Sequence, residues 1–481
     1  MQIQSNWASW FRGRKFDLEL GAIALVYFVQ GALGIAHLAV SFFLKDELSL
    51  GPAEVSSLVG IAMLPWTVKP LYGLISDGFP IFGYRRRPYL ILSSVMGVSA
   101  WLCMAFVVST PLTALIAIAL GSLSIAFSDA IIDALVVQRA RLESEGDAGS
   151  LQSFGWAAMS VGAIASAYLS GSLLEHFGSR FVFEITAVLP LLVGFAAFAI
   201  VDIPIGKLLA SSANESISGS TPESAQELPD DSAQTLSSFA IVGQQLKQLR
   251  KAFMSKQIWL PAAFVFLWQA TPTADSAFFF FTTNELKFNP EFLGTVRLVT
   301  SVAGLFGVWI FQRFLKAVPM RQIFLWTTII SAVLGMTSLL LVTHANRAIG
   351  IDDRWFSLGD SLILTVAGRI AFMPVLVLAA RLCPEGIEAT LFALLMSVVN
   401  VSSLFSYQFG AALTRWLGIT DTNFDNLWLL VAIANLSTLL PLPLLSWLPD
   451  DSSASSKQLE SSSSIEIVTL EVEKPEVMSS L

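Results

Sequence analysis

The stretch LTALIAIALGSLSIAFSDAIIDALVVQ, residues 112–138, carries only two charged residues, Asp129 and Asp133. About twenty apolar residues in succession span a bilayer as a helix. A carboxylate inside such a helix costs roughly 2.5–3.5 kcal/mol on insertion scales, so acids rarely persist there without a function. The stretch therefore predicts a membrane-spanning helix that contains part of a polar site.

Eleven further apolar segments of similar length accompany this one. Apolar residues make up 54% of the 481 residues and charged residues 13%, whereas soluble proteins carry about 25% charged residues. The segments are apolar all round, as expected for helices in lipid. We predict an all-α integral membrane protein with twelve transmembrane helices, approximately at residues 18–44, 53–76, 88–109, 112–138, 151–174, 181–202, 258–282, 291–313, 321–343, 359–381, 388–414 and 425–447.

Two polar segments rich in Ser and Glu lie outside this apolar pattern. Residues 205–257 and 450–481 offer little to bury, and we predict a disordered cytoplasmic linker and a disordered cytoplasmic tail. The linker divides the chain into an N-terminal half, residues 1–204, and a C-terminal half, residues 258–449, with six helices each.

The basic residues predict the orientation. With a cytoplasmic N-terminus, the predicted inner loops hold 17 Lys and Arg residues before the tail, against 6 in the outer loops. Since cytoplasmic loops of membrane proteins carry the excess of Lys and Arg, both termini should be cytoplasmic. The N-terminal segment lacks a signal-peptide cleavage site and is too short for a transit peptide, which favours a plasma membrane of bacterial type.

The two halves are similar to each other at a nearly constant offset. The fourth and tenth helices align at an offset of 240, which places Asp129 opposite Arg369. In transporters built from such repeats, equivalent helices face each other across a cavity near the bilayer midplane, so we expect the ionisable residues to converge there. In the first and seventh helices, Gln30, His37, Phe42, Phe43, Glu47 and Pro52 correspond to Gln269, Asp275, Phe280, Phe281, Glu285 and Pro290.

The acidic pair in the fourth helix is the strongest candidate for coupling. Asp129 and Asp133 are four residues apart and share one helix face. Two carboxylates this close in a low-dielectric setting do not ionise together easily, so one should hold a proton, as in a proton-coupled carrier. Lys69 lies between Pro65 and Pro70 in a kinked part of the second helix. It has three interpretations: a partner of these acids, a ligand for a substrate carboxylate, or a side chain that reaches the cytoplasmic surface.

Two arginines and the seventh helix add further candidates. Arg369, near the middle of the tenth helix, has a planar guanidinium suited to bidentate binding of a carboxylate. Arg297, nearer the outer end of the eighth helix, either binds substrate, extends to the surface or closes an extracellular gate. We assign substrate binding or proton coupling to Gln30, His37, Lys69, Asp129, Asp133, Gln269, Asp275, Arg297 and Arg369.

Other kinds of chemistry lack a motif. No glycine-rich phosphate-binding loop is present, which argues against direct coupling to ATP. The histidines His37, His176 and His344 are scattered, and the two cysteines form no metal motif. We predict no enzymatic activity, no metal, no cofactor and no nucleic-acid partner.

The segment after the second helix reads KPLYGLISD at residues 69–77, followed by GYRRRPY at residues 83–89. Its Gly-x-x-x-Asp core and basic cluster resemble the signature loop of the major facilitator superfamily. In that gating loop Gly73 would permit close helix approach, Asp77 would accept hydrogen bonds at a helix N-terminus, and the basic residues would be Arg85, Arg86 and Arg87. The full run, together with SDAIIDA at residues 128–134, is similar to the folate–biopterin transporter family.

This resemblance implies the major facilitator fold and secondary active transport of folates and related pterins by alternating access, with a proton as the expected coupling ion. A pterin ring presents adjacent N–H donors for a carboxylate, and the glutamate tail of a folate favours Arg or Lys. The residues alone indicate only a polar solute, anionic or zwitterionic. A cation-coupled symporter of sugars or other organic solutes, and a non-transporting membrane assembly factor, remain as alternatives.

Overall fold

The computed structural model describes residues 18–140, 145–200, 202, 254–315, 318–381 and 388–449. The predicted tail and all but the last four residues of the predicted linker lie outside these ranges. The C-terminal half begins with a helix at Lys256.

Ten helical spans in the described residues are long and apolar enough to cross a membrane, with mean hydropathy between 1.4 and 2.2. This confirms the all-helical membrane architecture. They are Leu18–Glu47, Pro52–Ser76, Arg87–Phe106, Pro111–Val136, Ser153–Ala199, Pro290–Leu315, Met320–Val342, Asp353–Leu378, Phe392–Trp416 and Leu427–Trp447.

The span Ser153–Ala199 covers most of the fifth and the sixth predicted segments. It belongs to the helical element Glu145–Ala199, which is broken at Gly178, where φ is 80° and ψ is 172°. An unbroken helix of that length would extend about 80 Å, far beyond the roughly 30 Å of a bilayer's hydrocarbon core. The break therefore produces a hairpin of two helices.

The seventh predicted segment is a helix broken in the middle. Lys256–Gln269 and Asp275–Phe280 are helical, and the residues between them, around Pro272, are unwound. The eleventh segment binds this unwound stretch, because Ser406 Oγ donates to the carbonyl of Thr271 at 2.6 Å. The count of twelve requires this broken helix and both arms of the hairpin to cross the membrane.

The backbone repeats its irregular features at the offsets found in the sequence. The first and seventh segments each end in a π-helical turn, Phe43–Glu47 and Phe281–Glu285, and both turns start 238 residues apart. Ser49 and Lys287 then adopt positive φ angles of 52° and 55° at the same offset. Equivalent sequences in the two halves thus encode the same strained turn.

Among the described residues, two helix pairs pack along their lengths between the halves. The second segment packs against the eleventh, where Ser57 Oγ donates to Gln408 Oε1 at 2.8 Å. The fifth packs against the eighth, where Gly171 and Gly294 meet so closely that a Cβ on Gly171 would lie 2.8 Å from Cα of Gly294. Small residues at membrane helix contacts permit this backbone approach.

The ends of the first and seventh segments also meet across the halves. Lys45 Nζ donates to Asn284 Oδ1 at 2.8 Å, and the rings of Phe42 and Phe279 pack edge to face with centroids 5.2 Å apart. We call this region, residues 42–47 and 279–285, the closed end of the molecule.

Candidate functional site

A cluster of one lysine and two acids lies between the second and fourth segments. The second segment breaks at Val68, just before the helix Lys69–Gly78, and this break places Lys69 beside the fourth segment. Its ammonium group donates to Asp129 and to Asp133, the latter at 2.7 Å. Of the three interpretations of Lys69, the structure therefore shows the ion pair with the acids.

Two residues of the first segment complete this cluster. The hydroxyl of Tyr27 donates to Asp133 Oδ1 at 2.8 Å, and Tyr27 is almost fully buried. Tyr27 is not among the predicted site residues, although a tyrosine in an apolar helix indicates a buried polar contact, because its hydroxyl needs a hydrogen-bond partner there. Gln30 lies near Asp129.

The charges in the cluster do not balance when both acids are ionised. One ammonium then faces two carboxylates, and the binding of a single proton restores neutrality. The side chains of Lys69 and Asp129 are only 18% and 14% exposed, whereas that of Asp133 is 45% exposed. Asp133 is therefore the more accessible of the two acids.

A separate cavity of about 400 Å³ lies within the C-terminal half. Its wall includes two of the predicted residues, Gln269 and Asp275. Asp275 is exposed to this space, and its backbone N–H donates to Thr273 Oγ1 at 3.2 Å. Asp360 lies in the same wall and accepts hydrogen bonds from the hydroxyls of Thr337 and Ser338.

Asp360 is not among the predicted site residues, because it is the second residue of the span predicted at 359–381. An acid at that position is expected at the membrane surface, at the start of a helix. The helix instead begins at Asp353, two turns earlier, so Asp360 lies well inside it. Asp360 is buried, and its carboxylate accepts hydrogen bonds from two hydroxyl groups, which compensate for its removal from water.

Arg297 and His37 connect the eighth and first segments across the halves. The guanidinium of Arg297 donates to Nδ1 of His37, with Nη2 and Nδ1 3.1 Å apart. Arg297 therefore makes a contact between the halves, as its interpretation as a gate residue requires.

Arg369 lies against the eighth segment, where a Cβ on Gly304 would approach its Nε to 3.3 Å. The arginine is exposed, and no ion pair within the described residues involves it. Asp129, its counterpart in the repeat, pairs with Lys69 instead.

The predicted site residues thus form three groups rather than one cluster. One group surrounds Lys69, one lines the C-terminal cavity, and one joins His37 to Arg297. No hydrogen bond within the described ranges joins these groups to each other. Their convergence on a single central cavity stays a prediction, and Arg369 stands apart from all three.

The predicted gating loop makes contacts within the N-terminal half. The backbone N–H groups of Arg86 and Arg87 donate to Asp202 at 2.8 and 2.9 Å, which caps the helix that begins at Arg87. Arg87 Nε donates to the carbonyl of Ala197 at 3.0 Å, and Arg85 is exposed.

The expected close approach at Gly73 is wrong for this conformation, because a Cβ there would have nothing within 4 Å. Gly73 therefore does not face a neighbouring helix, whereas Tyr72 beside it packs against Phe127 of the fourth segment. The backbone of Asp77 belongs to the helix Lys69–Gly78, but its side chain lies outside the described part of the structure.

Comparisons with known proteins agree with this architecture. A sequence profile described as the BT1 family matches residues 30–465. The chain is 57% identical over 431 residues to a Synechocystis sp. protein named folate-biopterin transporter, covering 90% of this chain and 82% of that protein. It is 32% identical to an Arabidopsis thaliana protein named probable folate-biopterin transporter 4, covering 93% and 98%.

Solved structures of distant transporters share the fold. The nucleoside transporter NupG superposes with a TM-score of 0.63 at 15% identity, covering 90% of this chain and 99% of that chain. The inward open conformation of the xylose transporter XylE from E. coli superposes with a TM-score of 0.58 at 17% identity, covering 90% and 97%. With its helical spans, its repeat and these relatives, the chain is a membrane transporter of the major facilitator fold and belongs to the BT1 family.

Proposed function

We propose that this protein carries folates and related pterins across the membrane by proton-coupled alternating access. The family relation supports the substrate class, because the relatives are named for folate and biopterin. The observation that carries the coupling is the cluster of Lys69, Asp129 and Asp133, which lacks one positive charge for neutrality.

The proton acts on a helix that also touches the other half. Protonation of one carboxylate removes one of the two ion pairs of Lys69 and loosens the attachment of the second segment to the fourth. Three residues before Lys69, the carbonyl of Trp66 accepts a hydrogen bond from Asn400 of the eleventh segment at 3.0 Å. A shift of Lys69 therefore reaches a contact between the halves.

The closed end supports a conformation that faces the cytoplasm. The distribution of basic residues predicts that the loops at this end lie outside the cell. Contacts such as Lys45 to Asn284 then block the extracellular side and must break before substrate enters from there. Transport alternates between this state and one in which the closed end is open.

Uptake of labelled folate into cells that lack endogenous uptake tests the proposal. We expect accumulation that a proton uncoupler abolishes and that excess unlabelled pterin, but not excess sugar, competes away. Competition by sugars alone would favour the symporter alternative. Absence of any uptake, with co-purification of a partner complex, would favour the assembly factor.

Cross-linking the closed end should stop transport. With Cys103 and Cys383 replaced by serine, cysteines at Lys45 and Asn284 should be joined by a short bifunctional thiol reagent, because their native side chains are in contact at 2.8 Å. We expect folate uptake to fall to background after cross-linking and to recover on cleavage of the linker. Each single-cysteine variant is the matched control, and full uptake by the cross-linked protein would contradict alternation at this end.

Thiol labelling tests the orientation in the plasma membrane. Cysteines at Ser220 and Ser455, which lie outside the described residues, should resist membrane-impermeant thiol reagents in intact cells because both segments are predicted to be cytoplasmic. A cysteine at the exposed Thr422, in a loop beside the closed end, should react. Labelling of either cytoplasmic site from outside would overturn the orientation.

A further inference from the structure

We propose that the cavity of the C-terminal half binds the pterin ring of the substrate, with Asp275 accepting hydrogen bonds from the ring's N–H edge. This inference rests on the proposed function and adds which part of the substrate the cavity holds.

The residues that line the cavity favour binding of an uncharged group with several hydrogen-bond donors. It combines two carboxylates, of Asp275 and Asp360, with two carboxamides, of Gln269 and Asn435, and several hydroxyls. Among the described residues, no Lys, Arg or His lines it. A glutamate carboxylate would therefore be repelled, whereas the adjacent N–H groups of an aminopyrimidinone match a carboxylate in pairs.

The size and the walls of the cavity fit a flat ring. Its volume of about 400 Å³ lies within the range of about 300–1,000 Å³ for small-molecule sites. Phe278 belongs to the wall and supplies an aromatic face. Asp360 is held by Thr337 and Ser338, with 2.7 Å to Ser338 Oγ, so its orientation is set before a ligand enters.

The equivalent position in the N-terminal half cannot serve this purpose. The counterpart cavity there is lined by Gln30, which corresponds to Gln269, and by Ser93, Ser94 and Ser124. It has room of only about 10 Å³, enough for about one water molecule. At the offset of 240, Leu120 takes the place of Asp360. The equivalent regions of the two halves therefore differ: the C-terminal one is an open acidic cavity, and the N-terminal one is filled by side chains.

Arg369 lies outside this cavity. It follows Asp360 by nine residues on one helix, and at 3.6 residues per turn this spacing puts it on the face opposite Asp360. It lies against Gly304 of the eighth segment, and no residue of that segment is in the cavity wall. The cavity therefore accounts for the pterin ring and not for the glutamate tail.

Binding of three ligands to the purified full-length protein tests this inference. The ligands are folate, biopterin as a pterin without a glutamate tail, and p-aminobenzoylglutamate as a tail without a pterin. For Asp275→Asn we expect affinity for folate and for biopterin to fall about 10- to 100-fold, the usual effect of losing hydrogen bonds to a charged group. Affinity for p-aminobenzoylglutamate should stay unchanged.

Two further variants complete the experiment. Ala434→Leu fills the cavity without a change of charge and should weaken the same two ligands, whereas Asp425→Asn removes an exposed carboxylate elsewhere and should weaken none. Unchanged biopterin affinity in both cavity variants would overturn the inference. Equal loss for all three ligands would also overturn it and would assign the cavity to a coupling ion. If the unaltered protein binds neither folate nor biopterin, the proposed function itself fails.

Discussion

Asparagine in place of Asp129 or Asp133 is expected to abolish accumulation of substrate while leaving the protein inserted and abundant. Lys69 bridges both acids, so each single variant keeps one ion pair and the local packing. Each variant loses the second carboxylate, which is the group that we propose to bind the coupled proton. Uptake at acid and neutral pH, with the amount of protein in the membrane measured alongside, checks this result, and Asp421→Asn in an exposed loop is the control.

Removal of the lysine separates stability from coupling in the same cluster. Lys69→Gln leaves two acids without their cation, and breaking a buried pair in this way costs up to about 3–5 kcal/mol. In the double variant Lys69→Gln/Asp129→Asn the free energy of unfolding should largely recover, because one of the unpaired charges is gone, but transport should not. Normal transport by both single aspartate variants at acid and neutral pH would rule out a coupling role for the cluster.

Arg369→Lys should weaken folate binding substantially while affecting a pterin without a tail much less. Lysine keeps the charge but loses the planar fork that binds a carboxylate through two parallel hydrogen bonds. Loss of such charged hydrogen bonds corresponds to about 1.5–3 kcal/mol. Asp129, the alternative partner of Arg369, is already paired with Lys69.

The comparison between the two ligands excludes general damage. A structural defect from Arg369→Lys would lower binding of folate and of biopterin alike, whereas loss of a tail contact affects only the ligand that has a tail. Equal losses in correctly folded protein would rule out the anchor role. Arg297→Lys is a useful companion, since Arg297 contacts His37 and its effect should be on transport rate rather than on ligand preference.

The apolar segments and the repeat could be read from the sequence because they depend on local properties. Hydropathy over about twenty residues is enough to indicate a membrane helix. The offset of 238 between the halves reappears in the π-helical turns at Phe43 and Phe281. The four-residue spacing of Asp129 and Asp133 likewise places them on one helix face in any fold.

The partners of these residues depended on the packing of helices that are distant in the chain. Lys69 had three interpretations, and only the break at Val68 and the position of the fourth segment show that it pairs with both acids. Tyr27 reaches Asp133 from a residue 106 positions away. Hydropathy does not indicate such contacts. It shows which segments lie in the membrane, but not which face of a helix packs against which neighbouring helix.

The sequence by itself determined the class of the protein, its helices and its family, because transfer to lipid and repeated motifs are properties of single segments. Only the tertiary structure showed which of the polar residues contact one another. It also revealed Asp360, which looked like a helix end until the start at Asp353 placed it in a cavity wall with Asp275. The physical reason is that a cavity is the space left by several packed helices, and one cavity opened to about 400 Å³ while its counterpart closed to about 10 Å³.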